Sequence, residues 1–320
     1  MESFGESGIG RILKRKILLT ISALALLFVI VFFFTEAKSQ GKADSSPSST
    51  LIGKAGSRLN TIRKNADRGI KKIVNSFSKG IGHDPADNGK TLPDQAELTR
   101  RLNAIVGKSK VDVALLDKKS GQQLTYSNGG SNFWLASSIK LSILTALVSQ
   151  YGPLTGTDDQ QAQAMITYSD NDSATYLFNE LGGFPALEAF WARLSMTSTV
   201  SDYDGFGMST STAADQLKLL DYIRRLPADQ KSYIMNLTGQ VIPGQSFGVG
   251  RLKDAHFKNG WLNDDDGLWY VNSVGSVDDR YLIAIMTKNN LSSQAGERLT
   301  SRIARNLFNP NTMQLQKTKP

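Results

Sequence analysis

The segment from Ile139 to Val148, IKLSILTALV, predicts a helix that lies largely inside a core. Its apolar residues are Ile139, Leu141, Ile143, Leu144, Leu147 and Val148. Lys140 nevertheless stands in the first turn, where its charge opposes the positive end of the helix dipole and must be desolvated or paired. One interpretation is that Ser137 or Ser138 is an N-cap and that Lys140 reaches water. The alternative is a chemical role, and the rest of the sequence has to decide between them.

Composition excludes several classes of chemistry. The 320 residues include no cysteine, so disulfides, thiolate catalysis and lipid attachment through cysteine are excluded. The two histidines, His83 and His256, are too few for a histidine-rich metal site. There is no glycine loop of the kind that cradles phosphates. We therefore expect no metal, no cofactor and no nucleic-acid partner.

An uncharged apolar run of 18 residues extends from Ile17 to Phe34. Its length approaches the ~20 residues with which a helix spans a hydrocarbon core. Because RILKRK precedes it, the bias of basic residues toward the cytoplasm orients the N-terminus inward. A cleaved signal peptide is the alternative, although its apolar region usually has only ~7–15 residues. We expect an uncleaved single anchor, with everything after it extracytoplasmic.

Positive charge is concentrated in the N-terminal third. Residues 1–91 contain 15 Lys and Arg against 7 Asp and Glu, whereas residues 92–320 contain 22 of each. Residues 38–57 have the Ser, Gly and Pro content of a flexible linker. Residues 58–79 have the spacing of a basic amphipathic helix that is suited to anionic lipid or wall polymer. A merely solubilising tether is an equal alternative, since Gly69 weakens the helix.

The pattern from residue 92 onward predicts one globular domain. Asp94, with Glu97 three residues later, indicates a capping box that begins a helix. Strands are predicted on both sides of a turn at 119–121 and again within 245–262, 268–278 and 280–289. Helices fill the region from Ile139 to about 237, and a last helix covers about 294–307. This order predicts an α+β fold: an antiparallel sheet built from both ends of the domain, flanked by helices, with an inserted all-helical lobe.

The predicted organisation has five parts. They are a basic cytoplasmic N-terminus (1–16), a transmembrane anchor (17–35), a linker with the basic segment (36–91), the globular domain (92–310) and a C-terminal tail (311–320).

Ser137 and Lys140 are three residues apart and share one helix face, whereas Ser138 and Lys140 do not. A serine hydroxyl needs a base to become a nucleophile, and the usual base is histidine. Lysine can replace histidine where burial and nearby positive charge lower its pKa. The residue pattern therefore favours a serine–lysine pair.

A second lysine could supply the nearby charge. Lys258 lies in the predicted strand AHFKNGWL, and Gly260 there would permit a close approach to the backbone. Between the two lysines lies YSDN, residues 168–171. Taken alone, YSDN is typical of a helix cap.

Together, SSIK, YSDN and KNG resemble the three motifs of the penicillin-recognising serine enzymes, and of the class A β-lactamase branch in particular. The resemblance covers about residues 94–307. It implies the β-lactamase/transpeptidase-like fold and a β-lactam or peptidoglycan-peptide substrate.

The resemblance also implies a role for each matching residue. Ser137 would be the acylated nucleophile and Lys140 its base. Ser169 would relay a proton to the leaving nitrogen, and Lys258 would help to fix a substrate carboxylate. The implied substrate contacts are the side chain of Asn171, the Asn259 and Gly260 positions of KNG, and an oxyanion hole made by the N–H groups of Ser137 and Trp261.

Two departures from the family pattern concern deacylation and the binding of a substrate carboxylate. Class A enzymes carry a glutamate that activates the deacylating water, but residues 199–220 contain none. Asp202 and Asp204 are the nearby carboxylates, and each is also typical of a turn. Asn259 replaces the usual Ser or Thr, which removes a hydroxyl that would contact a carboxylate.

We therefore expect an extracytoplasmic serine hydrolase that forms an acyl-enzyme on Ser137 with a β-lactam, wall-peptide or ester substrate and deacylates poorly. The alternative is a catalytically weak penicillin- or peptidoglycan-binding module. Trp134, Trp261, Trp269 and Tyr270 are candidates to line its recognition cleft, although such aromatics are more often core.

Overall fold

A computed structural model describes residues 91–310 of the chain. The helices are α1 (Gln95–Asn103), α2 (Ile139–Tyr151), α3 (Thr157–Gln163), α4 (Asn171–Leu181), α5 (Gly183–Arg193), α6 (Ala213–Arg225), α7 (Ala228–Thr238) and α8 (Ser293–Asn306). The strands are β1 (Lys110–Asp117), β2 (Gln123–Ser127), β3 (Phe133–Trp134), β4 (Thr210–Ser211), β5 (Ala255–Asn263), β6 (Trp269–Val277) and β7 (Tyr281–Asn290).

The predicted fold class is confirmed. Five antiparallel strands form one sheet in the order β2-β1-β7-β6-β5, and β3 pairs with β4 in a small second sheet. Strand β1 pairs with β7 from Lys110↔Lys288 to Asp117↔Tyr281, so the two ends of the domain complete one sheet. Helices α2 to α7 lie between β3 and β5 in sequence and form the inserted lobe.

Strand β7 shows why the sheet occupies the centre. Its side chains alternate between two cores, as the two-residue period of a strand requires. Leu282, Ala284 and Met286 belong to the cluster that contains the helical lobe. Ile283 and Ile285 belong to the cluster that contains residues of α1 and α8. A strand buried on both faces is therefore apolar almost throughout.

The strand predicted over 245–262 is wrong in its first part. Short 3₁₀ turns occupy Pro243–Gln245 and Gly248–Arg251, and β5 begins only at Ala255. Gly248 has a φ of +58°, and a Cβ added there would lie 2.3 Å from the Ser273 side chain. The backbone thus turns tightly against β6 before it can extend, which an alternating pattern does not reveal.

The start of α1 confirms half of the predicted capping box. The Asp94 side chain accepts a hydrogen bond from the Glu97 N–H at 2.7 Å. The Glu97 carboxylate, however, pairs with Arg100 and Arg101.

Within residues 91–310, every helix is too short or too polar to cross a bilayer. The predicted anchor (17–35), the basic segment (58–79) and the tail (311–320) lie outside the described residues and stay predictions.

Candidate active site

The turn that carries Ser137 is held by its own backbone and by a neighbouring hydroxyl. Residues Ala136–Ser138 form a 3₁₀ turn that leads directly into α2. The Leu135 carbonyl accepts the Ser138 N–H at 3.1 Å and the Ser138 Oγ–H at 2.6 Å. Ser138 therefore occupies the N-cap position of α2, as one interpretation predicted, but its hydroxyl is used inside the turn and makes no capping hydrogen bond. Ser137 is half-buried.

Ala136, just before the nucleophile candidate, has a φ of +48°. A residue with a Cβ rarely adopts this left-handed conformation, which costs on the order of 1–3 kcal/mol. The surrounding contacts must stabilise it, because nothing in an alanine favours it.

Lys140 does not reach water. Its side chain is fully buried, and Nζ lies 2.6 Å from the Ser169 carbonyl oxygen, 2.7 Å from Asn171 Oδ1 and 3.2 Å from Ser169 Oγ. Within residues 91–310, no hydrogen bond joins Lys140 to the Ser137 hydroxyl. The Lys140 side chain thus extends from α2 to residues 169–171, Ser-Asp-Asn, which we call the SDN loop.

The SDN loop presents Ser169 at the break between two helices. The π turn Ala164–Tyr168 ends at Ser169, whose φ of +60° is left-handed. Asp170 then caps α4, accepting the Ser173 N–H at 2.7 Å. The interpretation of this motif as a helix cap is therefore correct for Asp170, while Ser169 is left free to contact the lysines.

Lys258, on β5, is the second lysine that contacts Ser169. It is fully buried, and Nζ lies 2.9 Å from Ser169 Oγ and 3.2 Å from the Asn259 carbonyl oxygen. The hydroxyl of Ser169 thus contacts both lysine amines. One residue from each of the three sequence motifs meets at this oxygen.

Burial shapes the electrostatics of this cluster. It lowers the pKa of Lys140 to about 8, an effect that the Asp170 carboxylate partly opposes. Burial also lowers the pKa of Lys258 well below its usual value, and the charge of Lys140 lowers it further. Two ammonium groups around one hydroxyl repel each other, so the cluster favours the loss of a proton.

Gly260 makes the contact between β5 and the Ser137 turn possible. A Cβ at this position would lie 2.5 Å from the Ser138 nitrogen and 2.7 Å from both the Ser137 nitrogen and the Leu135 oxygen. The predicted close backbone approach is confirmed. Trp261, the next residue, is half-buried and packs edge-on against Phe247 with ring centroids 5.8 Å apart.

Asn259 points into the fold. It is fully buried, and Nδ2 donates to the carbonyl oxygens of Gln245 and Phe247 at 2.8 and 3.0 Å. Both amide hydrogens are thus occupied, and Oδ1 has no partner among the described residues. In this arrangement the side-chain amide of Asn259 has no N–H left to donate to a substrate. Its predicted role in substrate binding stays a prediction.

Asp202 and Asp204 form a turn in the loop after α5. The Asp204 N–H donates to Asp202 Oδ1 at 3.0 Å. The loop itself lies against the Ser137 turn, since a Cβ on Gly207 would be 3.7 Å from the Ala136 Cα. No hydrogen bond among those of residues 91–310 joins either carboxylate to Ser137, Lys140 or Ser169. Their deacylation role stays a prediction.

Sequence reasoning missed two polar residues beside the site. Gln245 donates to the Tyr168 carbonyl, next to Ser169, and Asn272 on β6 donates to the carbonyls of Trp134 and Leu135. The signal that the sequence offered for Asn272 was an asparagine inside the strand pattern WYVNSVGSV, where a buried amide needs hydrogen-bond partners.

The comparisons with known proteins fit this arrangement. The family model described as "Beta-lactamase enzyme family" matches residues 157–310, which include Ser169 and Lys258 but not the Ser137 turn. This match and the fold together support a β-lactamase-like serine hydrolase family for the chain. No curated protein matches the sequence.

Several solved structures share the fold. The class A β-lactamase from Bacteroides cellulosilyticus is 14% identical, with a TM-score of 0.58 over 68% of this chain and 97% of that one. The TLA-1 extended-spectrum β-lactamase is 16% identical, with a TM-score of 0.58 over 68% and 98%. The structure described as PBP-A is 20% identical, with a TM-score of 0.54 over 68% and 97%.

Replacing Gly260 by alanine should displace the Ser137 turn, because the new Cβ would collide with backbone atoms. We expect roughly 10²-fold slower acylation by a chromogenic β-lactam, measured by stopped-flow absorbance. Gly244→Ala is the matched control, since its Cβ would meet nothing within 4 Å and its φ is not left-handed. Equal acylation rates for the two variants would show that the close contact is unimportant.

Proposed function

We propose that this chain is a membrane-anchored, extracytoplasmic serine hydrolase that forms an acyl-enzyme on Ser137. Its substrates are β-lactams, wall peptides or related esters, and it deacylates slowly. The observation that carries the proposal is the hydroxyl of Ser169 in contact with two buried amines. One of these amines belongs to Lys140, which follows Ser137 by three residues at the start of α2. Such a cluster can move protons without a histidine.

In the proposed acylation, the Ser137 hydroxyl turns toward Lys140 when a substrate is bound. Neutral Lys140 takes the hydroxyl proton as Oγ bonds to the substrate carbonyl carbon. The N–H groups of Ser137 and Trp261 bind the resulting oxyanion. The carbon–nitrogen bond then breaks, and the leaving nitrogen takes the proton of Ser169, which recovers one from Lys140. Lys258 donates a hydrogen bond to Ser169 throughout and helps to fix a substrate carboxylate as a hydrogen-bond donor.

The proposal of slow deacylation is supported by the surroundings of the two candidate carboxylates, Asp202 and Asp204. The loop after α5 contains no glutamate, and Asp202 Oδ1 already accepts the N–H of Asp204. Neither Asp202 nor Asp204 has a described contact with the Ser137–Lys140–Ser169 group. An acyl-enzyme would therefore accumulate, because among residues 91–310 neither of these carboxylates is hydrogen-bonded to the group where a deacylating water would have to be activated.

The first prediction of this proposal concerns the covalent adduct between Ser137 and a penicillin. Detergent-solubilised full-length protein mixed with benzylpenicillin should gain one penicillin mass, on Ser137, that persists for minutes by intact-mass spectrometry. Ser137→Ala should show no adduct and a roughly 10³-fold or greater loss of ester turnover. Ser142→Ala is the control, since the buried Ser142 hydroxyl on the same helix has no hydrogen-bond partner within residues 91–310. This variant should be acylated on Ser137 as the wild type is.

Three outcomes would contradict parts of this proposal. Rapid penicillin hydrolysis without an adduct would refute slow deacylation. An adduct on Ser137→Ala would refute the nucleophile assignment. Retained penicillin binding by wild type and Ser137→Ala, without any adduct, would favour the binding-module alternative.

The second prediction concerns pH. Lys140 must be neutral to accept a proton, so the acylation rate should rise with pH through about 8, the pKa of Lys140. Because the Asp170 carboxylate raises this pKa, Asp170→Asn should move the rise to lower pH while an asparagine still caps α4.

Asp172→Asn is the control for this shift, since Asp172 lies in the first turn of α4 and is not among the causes of the Lys140 pKa shift. Stopped-flow acylation rates between pH 5.5 and 9.5 provide the measurement. A pH-independent rate would exclude Lys140 as the base.

The third prediction concerns the anchor. The full chain should stay in the membrane pellet after alkaline carbonate extraction, with its intact N-terminus. Leu26→Arg combined with Val29→Arg should release it, because each arginine near the middle of the span costs ~3 kcal/mol. Ser46→Arg in the linker is the control. An N-terminus beginning after the apolar run would instead establish a signal peptide.

A further inference from the structure

Asn272 makes three hydrogen bonds from the middle of β6, where it is fully buried. Its Oδ1 accepts the Thr287 N–H of β7 at 3.3 Å. Its Nδ2 donates to the Trp134 carbonyl at 2.6 Å and to the Leu135 carbonyl at 3.2 Å. The side chain therefore ties the central sheet to the two residues that precede the Ser137 turn.

These contacts act on a strained backbone. The Leu135 N–H donates to the Ser209 carbonyl at 2.8 Å, while the Leu135 carbonyl accepts bonds from Ser138 and Asn272. With both sides of residue 135 held, Ala136 is kept at its φ of +48°. Without these bonds, the turn could relax toward an ordinary conformation, because the left-handed one is intrinsically costly.

The register of the sheet explains why Asn272 can fix the residues before Ser137 effectively. Asn272 pairs directly with Gly260. The backbone at Gly260 closely approaches the nitrogens of Ser137 and Ser138. Adjacent positions on two neighbouring strands thus contact the same turn, one through backbone packing and the other through an amide. The direction of the Ser137 N–H depends on the peptide groups that this pair fixes.

We propose that Asn272 is a positioning residue, which holds the residues before Ser137 so that the Ser137 N–H points at the oxyanion site. This inference rests on the proposed function for its effect on catalysis. Asn272 itself touches no substrate. An asparagine fits the task because its amide combines two donors for the carbonyls with an acceptor for the Thr287 N–H.

Two variants test this role. Asn272→Leu keeps the side-chain volume but removes every hydrogen bond, and Asn272→Asp keeps the acceptor but removes both donors. We expect acylation to slow roughly 10²-fold in each, since small displacements of an oxyanion donor have effects of this size. Substrate binding before acylation should change little.

Asn290→Leu is the matched control. Asn290 is 2% exposed, and its Nδ2 donates to Trp269 and Thr287 while its Oδ1 accepts from Ser109. Asn290 lies in the same sheet as Asn272, and its side chain makes the same number of hydrogen bonds. None of them goes to the Ser137 turn. Asn290→Leu should lower the thermal midpoint about as much as Asn272→Leu and leave acylation near wild type.

Two readouts separate positioning from loss of stability. In the infrared difference spectrum of the acyl-enzyme, the ester carbonyl band should move to higher wavenumber in Asn272→Leu, because the oxyanion N–H groups polarise it less. In the free protein, hydrogen exchange in the segment 135–140 should quicken in Asn272→Leu but not in Asn290→Leu, since the Ser138 N–H would lose protection.

The outcomes distinguish this inference from the proposed function. Wild-type acylation with an unchanged carbonyl band and unchanged exchange in Asn272→Leu would overturn the positioning role. Absence of any wild-type acylation would refute the proposed function. In that case, faster exchange in Asn272→Leu still supports the hold on the turn, and unchanged exchange overturns it.

Discussion

The site depends on two buried lysines whose amines contact one hydroxyl. Removing an ammonium group from water costs several kcal/mol, and bringing a second one within hydrogen-bond distance of the same oxygen adds repulsion. Such a cluster exists only where the surrounding fold supplies fixed acceptors. Lys140 obtains them from the Ser169 carbonyl and Asn171, and Lys258 from the Asn259 carbonyl. The burial that lowers the pKa of both lysines therefore costs stability, and it leaves the two amines easily deprotonated.

The fold brings these groups together from three separate parts of the chain. Strand β5 contributes Lys258 and Gly260, the loop before α4 contributes Ser169, and the start of α2 contributes Lys140. The glycine lets β5 lie against the Ser137 turn, and this contact fixes the distance between sheet and lobe at the site. A displacement of the sheet or of the helical lobe would therefore move the lysine amines relative to the Ser169 hydroxyl.

Much of this arrangement was predictable because it is encoded locally. The order of strands and helices predicted the sheet built from both ends, and the resemblance of the three motifs to the penicillin-recognising enzymes implied that Ser169, Lys140 and Lys258 lie in one cluster. The hydrogen-bond partners were not predictable. Asn259 was expected at a substrate, but its amide is bound by the carbonyls of Gln245 and Phe247, in a segment that was itself expected to be a strand. Long-range partners of polar side chains depend on tertiary packing, which periodicity does not describe.

The pairing of β1 with β7 has a consequence for how the domain acquires its structure. These strands lie at opposite ends of the described sequence, yet they pair along their whole length. Contacts between such distant segments form slowly and only once both have been synthesised. On the ribosome, the β1 edge of the β1–β2 hairpin must therefore stay unpaired until β7, which begins about 150 residues after β2, has emerged. During that interval the unpaired β1 edge offers free backbone N–H and C=O groups to other chains, which makes the nascent domain prone to aggregation.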